Sequence, residues 1–463
     1  MHKKKSNRRS VVNFLQYLFM VVSVFLLLYL FEKTNTGFIM IGPEGSYKII
    51  FILITLKFLL DLYTFGVGLI SYSLVFLYIP MISLLCFAPN GEVASLFNIN
   101  TRLINEHFYS IIFGSVYFYI VWTYLMFFTK KNYKEFDLMV IPSFFNQQKS
   151  ILATYFFSVL ALTSTIIYKP TIPGQSYITL RQVDTLLPGS GWNMVVVISY
   201  FFVLIGVKNS KLRNFTIAFV PIWLIINYAR VDIMGIFLFY LLYVIYSKQL
   251  YLKKNWILDK NIMLRLLFLL IIIISLSYIG IVRNEGFYFK FEFFVKSISA
   301  LVNYPTIQDL IYSFAATIEV EQLYGNENTL LWYLIKIIPS FLISFPEDAS
   351  KYVQNIIHTN YGMHLAAEFY LNYSFFGFLI APFICYFMLF LPLYIMRSLF
   401  GSLGTALAYY LLIMATARIY WYGYIYYIKP FFTIIPVFLF FYFIITKFEN
   451  NLKSKKVSQA RRV

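Results

Sequence analysis

The sequence predicts an all-α polytopic membrane protein of about 12 transmembrane helices with both termini in the cytoplasm. Three observations carry that prediction. The first is composition: 60% of the residues are hydrophobic, 13% are charged and the mean hydropathy is +0.72. Few water-soluble cores bury that much apolar surface. The second is length: runs such as Val11–Leu30, Leu266–Ile281 and Ile434–Ile445 approach the roughly 20 residues that a bilayer demands. The third is where the basic residues sit between such runs. The formal net charge of +18 belongs to loops and reports orientation, not nucleic-acid binding.

In chain order, spans are expected near 12–31, 48–65, 66–88, 108–128, 151–168, 191–207, 214–229, 231–247, 265–283, 373–396, 404–420 and 428–446. With the N-terminus inside, most of the 38 basic residues fall on the cytoplasmic side. They include Lys3, Lys4, Lys5, Arg8 and Arg9 in the N-tail, and Lys130, Lys131, Lys134 and Lys149 after the fourth span. Lys208, Lys211 and Arg213 follow the sixth, Lys248, Lys253, Lys254, Lys260 and Arg265 the eighth, and Arg397 the tenth. The C-tail adds Lys447, Lys453, Lys455, Lys456, Arg461 and Arg462. The first apolar run is too long for a signal peptide and no small-x-small cleavage pattern follows it. Cys86 and Cys385 lie in or at the end of spans and give neither a disulfide framework nor metal spacing. One integral membrane domain over 1–463 is expected. Thr329–Phe345 is apolar, but Lys336 and Pro339 interrupt it. It reads as an interfacial or re-entrant helix, since one more crossing would put the basic C-tail outside.

The outer face is then the place for chemistry. It comprises Phe87–His107, the Pro/Gly-broken stretch Lys169–Gly191, the turn Tyr228–Asp232 and the large loop Asn284–Leu371. A loop that long is a functional element when its composition is not that of a disordered chain. Within it, Ile307–Tyr324 carries apolar positions at helical spacing. Arg102, Arg181, Arg230, Arg283 and Arg418 lie on the side that the positive-inside rule depletes. Arg230, Arg283 and Arg418 sit at span ends, where a planar guanidinium suits a phosphate. The competing reading is an ion pair, Arg230 with Asp232 or Arg283 with Glu285, or simple snorkelling. His358 and His364 are candidate general bases, against the plainer reading of polar loop histidines. Glu368 opens the tenth span and either accepts a hydroxyl proton or satisfies an arginine. Lys57 and Asp61, four apart, read as a structural intramembrane pair. The cluster from Tyr420 through Trp421 and Tyr422 to Tyr424 reads as an interfacial belt, or as a platform on which sugar rings stack.

From Asn227 onward the chain resembles the Wzy-type polymerases of bacterial O-antigen, capsule and related polysaccharides. The resemblance rests on NYARVDIMGIFLFYLL, on a span ending in Arg283, and on IIPSFLISFPEDASKYVQN within a large outer loop. It continues with Glu368, Tyr370 and Asn372 followed by Gly377, and with ATARIYWYG around Arg418. It implies a GT-C-like architecture. It also implies an enzyme that joins undecaprenyl-diphosphate-linked oligosaccharide repeat units on the outer face of the bacterial plasma membrane. Flippase and chain-length-regulator membrane proteins are the expected partners, beside the lipid bilayer. On this reading Arg230 and Arg418 with His358 or His364 are catalytic. Arg283, Glu368, Tyr370, Asn372, Trp421 and Tyr422 bind substrate. A lipid-linked donor needs no nucleotide-binding glycine loop, no cofactor is expected, and no carboxylate cluster has metal-ligand spacing. The rivals are a lipid-linked oligosaccharide flippase or other transporter, and an O-antigen ligase. A flippase shows pseudo-symmetric halves, whereas here the polar weight lies in one late outer loop.

Overall fold

A computed structural model describes residues 2–35, 44–65, 69–87, 101–129, 150–168, 192–207, 210–226, 233, 235–240, 291–292, 305–329, 335, 349–359, 362–423 and 430–460. All regular structure among them is helical. In chain order the helices are α1 (His2–Asn35), α2 (Glu44–Phe65), α3 (Leu69–Phe87), α4 (Thr101–Glu106), α5 (Phe108–Phe128) and α6 (Ile151–Tyr168). Then come α7 (Trp192–Ile205), α8 (Lys211–Ile226), α9 (Pro305–Tyr324), α10 (Ala349–Ile356) and α11 (Leu365–Tyr422). A π-helical turn, Pro430–Ile434, leads into α12 (Ile435–Ala460). Six helices among the described residues are long and apolar enough to cross a membrane. The spans expected near 231–247 and 265–283 lie largely or wholly outside the described residues.

The chain forms two compact units, each woven from separate stretches. The first comprises Met1–Lys134, Val302–Leu389 and Thr416–Tyr426; the second comprises Glu135–Leu301, Phe390–Ala415 and Tyr427–Val463. In the first unit α5 is the pillar. Helices α1, α2 and α3 pack on it, and α9 packs on α3, α4, α5 and α10. In the second, α6, α7 and α8 pack on one another and α12 packs on α6 and α7. Stacked rings fill this second core, where Phe157 lies 4.3 Å from Phe202 and 5.9 Å from Phe438 between centroids.

Polarity runs inside out along the outermost helices. On α1, Phe14, Val21, Phe25 and Leu28 are exposed, with Phe25 67% accessible, while Gln16 and Ser23 are buried. On α6, Leu152, Tyr155, Phe156 and Val159 face out while Thr154, Ser158, Ser164 and Thr165 face in. Water would reject that arrangement. A bilayer favours it, because lipid tails take the apolar face and inward polar groups find partners. The chain is a helical membrane protein.

The Lys57–Asp61 pair is the centre of such an inward network. Lys57 Nζ lies 2.5 and 2.7 Å from the two Asp61 carboxylate oxygens and 3.3 Å from Thr123 Oγ1. Gln16 donates to Asp61 at 3.0 Å and to Thr64 at 2.9 Å, and the Tyr119 hydroxyl donates to Asp61 at 2.9 Å. The Tyr124 ring covers the ammonium at 4.6 Å. Helices α1, α2 and α5 are thereby pinned through one charge pair.

Helix α11 has 58 residues, which would form a rod of roughly 87 Å if straight. It is not straight. Ser374 and Gly401 hold φ of 51° and 61°, the left-handed region. At Gly401 the chain turns back, so that a Cβ on Gly404 would lie 2.7 Å from the Met396 carbonyl oxygen, eight residues earlier. The turn falls between the spans read at 373–396 and 404–420.

Candidate functional site

The first unit gathers the described residues that the sequence singled out. His364 caps α11. Its backbone is extended (φ −67°, ψ 139°), its Nδ1 accepts the Ala366 N–H at 3.2 Å, and its carbonyl takes the Ala367 and Glu368 N–H groups. Just before the cap, the Met363 N–H donates to the Trp421 carbonyl at 2.8 Å, tying the start of α11 to its end. The imidazole stacks on Phe314 of α9 at 5.3 Å and meets the edge of Phe118 of α5 at 6.2 Å. Burial pushes its pKa down from 6.5 to about 4, because the imidazolium has lost its water. With Nδ1 holding a lone pair for the cap, the ring proton sits on Nε2, whose surroundings offer no hydrogen-bond partner among the described residues. Base work by His364 therefore requires the cap to open. Glu368, one turn on, is also buried.

Tyr370, Asn372 and Gly377 form a joint. The Asn372 amide donates to Thr329 Oγ1 and to the Glu368 carbonyl, both at 2.7 Å. The Glu327 N–H reaches the Leu371 carbonyl at 2.9 Å. The Ser374 hydroxyl donates to Glu321 and meets Asn326 Oδ1 at 2.8 Å. The Tyr370 hydroxyl lies beside Glu321 and Gln322. These bonds lace the end of α9 and residues 325–329 to the first turns of α11. Where the chain folds back, a Cβ on Gly377 would collide with the Phe369 carbonyl, so only glycine fits. The spacing of glutamate, tyrosine, asparagine and glycine thus has a mechanical cause here.

The late arginine segment packs beside it. Arg418 is half-buried and lies near Tyr72 of α3. Trp421 donates its indole N–H to the Phe76 carbonyl at 3.0 Å and sets its ring edge-on to Phe76 at 5.0 Å. Tyr420 is buried against Phe118 and Trp122. Trp421 is part-exposed, and the Tyr422 side chain lies outside the described residues. So do Arg230, Arg283 and nearly all of 330–348. His358 is exposed just beyond α10.

One pairing escaped sequence reasoning. His107, at the N-cap of α5, lies with Nε2 2.8 Å from Glu319 Oε2 of α9. The residues stand 212 positions apart, so no local pattern announces the contact. Both fall in segments expected on the outer face. Beside them, exposed Arg102 pairs with Glu106 at 2.7 Å on α4. No group of three or more His, Cys, Asp or Glu among the described residues could hold a metal ion. Comparisons of the chain with protein-family models, with curated proteins and with solved structures gave no match.

Proposed function

We propose that this chain polymerises undecaprenyl-diphosphate-linked oligosaccharide repeat units on the outer face of the bacterial plasma membrane. The observation that carries the reading is one compact unit holding α9 of the large loop, the Glu368–Gly377 joint and the half-buried Arg418. In the reaction, a hydroxyl of the incoming unit's non-reducing-end sugar attacks the anomeric carbon of the growing chain. The bond from that carbon to the carrier diphosphate breaks, and the electron pair leaves with the diphosphate. A guanidinium at Arg418 offsets the charge that develops there. Arg230 and Arg283 are candidates for the same work on the sequence alone. Part-exposed Trp421 suits the apolar face of a sugar ring, and Tyr422 is its sequence neighbour in that role. Glu368, Tyr370 and Asn372 shape the wall through their bonds to one another and to α9. Flippase and chain-length-regulator proteins are the expected partners.

A transporter is the second reading, because a charged pair deep in spans marks ion or substrate pathways. The Lys57–Asp61 pair qualifies by depth. Its ammonium and carboxylate are nonetheless bonded to each other and to Gln16, Tyr119 and Thr123, which is the pattern of a structural clasp. Deleting the gene separates the readings on a gel of surface polysaccharide. Single repeats at the surface and no ladder support the polymerase. Repeats accumulating inside, with none at the surface, indicate a flippase. Long chains left on the lipid carrier indicate a ligase.

A further inference from the structure

We infer that His107, held by Glu319, is the base that takes the acceptor hydroxyl's proton in the proposed polymerisation; the inference rests on that reading. An ionised carboxylate only accepts hydrogen bonds, so Glu319 at 2.8 Å fixes the proton of a neutral His107 on Nε2. The lone pair then lies on Nδ1. That nitrogen makes no helix-capping bond, in contrast to His364, whose Nδ1 is committed to Ala366. An imidazole oriented by a carboxylate on one nitrogen and with no capping bond at the other is the geometry of a positioned general base.

The place suits the chemistry. His107 immediately precedes the apolar run of α5, which puts it at the level of a lipid headgroup. Glu319 keeps about a third of its side chain accessible while His107 keeps a tenth, so the carboxylate reaches the surface of the unit and the imidazole sits just beneath it. Glu319 shares α9 with Phe314 and Glu321, which anchor that helix to His364 and to the Ser374 joint. In the step, the acceptor O–H gives its proton to Nδ1 as its oxygen bonds to the anomeric carbon and the diphosphate departs. The imidazolium formed is stabilised by the Glu319 carboxylate and returns its proton to water. His107 is the catalytic residue; Glu319 is a positioning residue.

The test uses the purified full-length protein and undecaprenyl-diphosphate-linked repeat units extracted from polymerase-deleted cells. His107→Ala should slow chain elongation by about 10²–10⁴-fold. Added free imidazole should restore part of that rate, which no structural role would allow. Glu319→Gln should lower kcat with little change in KM, because an amide can donate to Nε2 and turn the proton onto Nδ1. His107→Gln, which keeps a donor for Glu319, guards against misfolding of the alanine variant and should be equally slow. Wild-type rates from His107→Ala or His107→Gln, or a folded His107→Ala that imidazole leaves unchanged, overturn the base assignment while the polymerase reading stands. No elongation by the wild-type protein overturns both.

Discussion

His364 is the residue whose sequence reading changes most on seeing its neighbours. A histidine just before a span suggests a titrating base. Packed against Phe314 and Phe118 and spent on a helix cap, it is a neutral anchor whose protonation opposes folding. The folded pKa of about 4 lies below the ordinary 6.5, so the unfolded chain binds the proton more readily. Its contribution to stability is therefore complete above about pH 6.5 and is lost progressively as pH falls towards 4. The loss should be on the order of 3 kcal/mol. His364→Asn keeps a capping side chain and removes the titration. Thermal unfolding followed from pH 7 to pH 4 should show a shallower decline for that variant, and identical slopes would refute the account. Arg418 is tested by Arg418→Lys, which keeps the charge and loses the planar fork. Ladder length on a polysaccharide gel should shorten at unchanged protein level.

At the scale of elements, the helices were legible because a bilayer imposes length and apolarity, and both can be read from a linear chain. Which face each helix turns inward was not, because a run such as Val11–Leu30 is apolar nearly all round, and of its polar breaks Gln16 and Ser23 turn inward while Asn13 stays exposed. The reversal at Gly401 fell in an expected gap between spans. The one at Ser374 and Gly377 did not, because its cause is the approach of Gly377 to the Phe369 carbonyl. Gly377→Ala should accordingly destabilise by about 3 kcal/mol through that backbone clash. Gly401→Ala meets open space and should cost only the left-handed conformation, about 1 kcal/mol. Detergent melting curves that rank Gly401→Ala as the more damaging would contradict this. The Lys57–Asp61 clasp was legible from its four-residue spacing; its links to Gln16 and Tyr119 were not. Lys57→Met alone strands a buried carboxylate and should cost on the order of 3–5 kcal/mol. Lys57→Met with Asp61→Leu should recover much of that loss, and a double variant worse than both singles would argue for a role beyond structure.

At the scale of the whole molecule, inside-out polarity on α1 and α6 and six bilayer-length helices make this a membrane protein. The function is one step further, and the sequence marked part of its ground. Glu368, Tyr370, Asn372 and Gly377 were visible as a spaced pattern, and Arg418 as a charge on the depleted side. The His107–Glu319 contact was invisible, because tertiary folding alone brings α5 and α9 together across 212 positions. The most direct measurement places the purified protein in liposomes containing undecaprenyl-diphosphate-linked repeat units and follows both products of the proposed step. The account predicts a ladder of lengthening chains, with one carrier diphosphate released for each glycosidic bond formed. Movement of single repeats across the bilayer, with no lengthening and no carrier release, would contradict it.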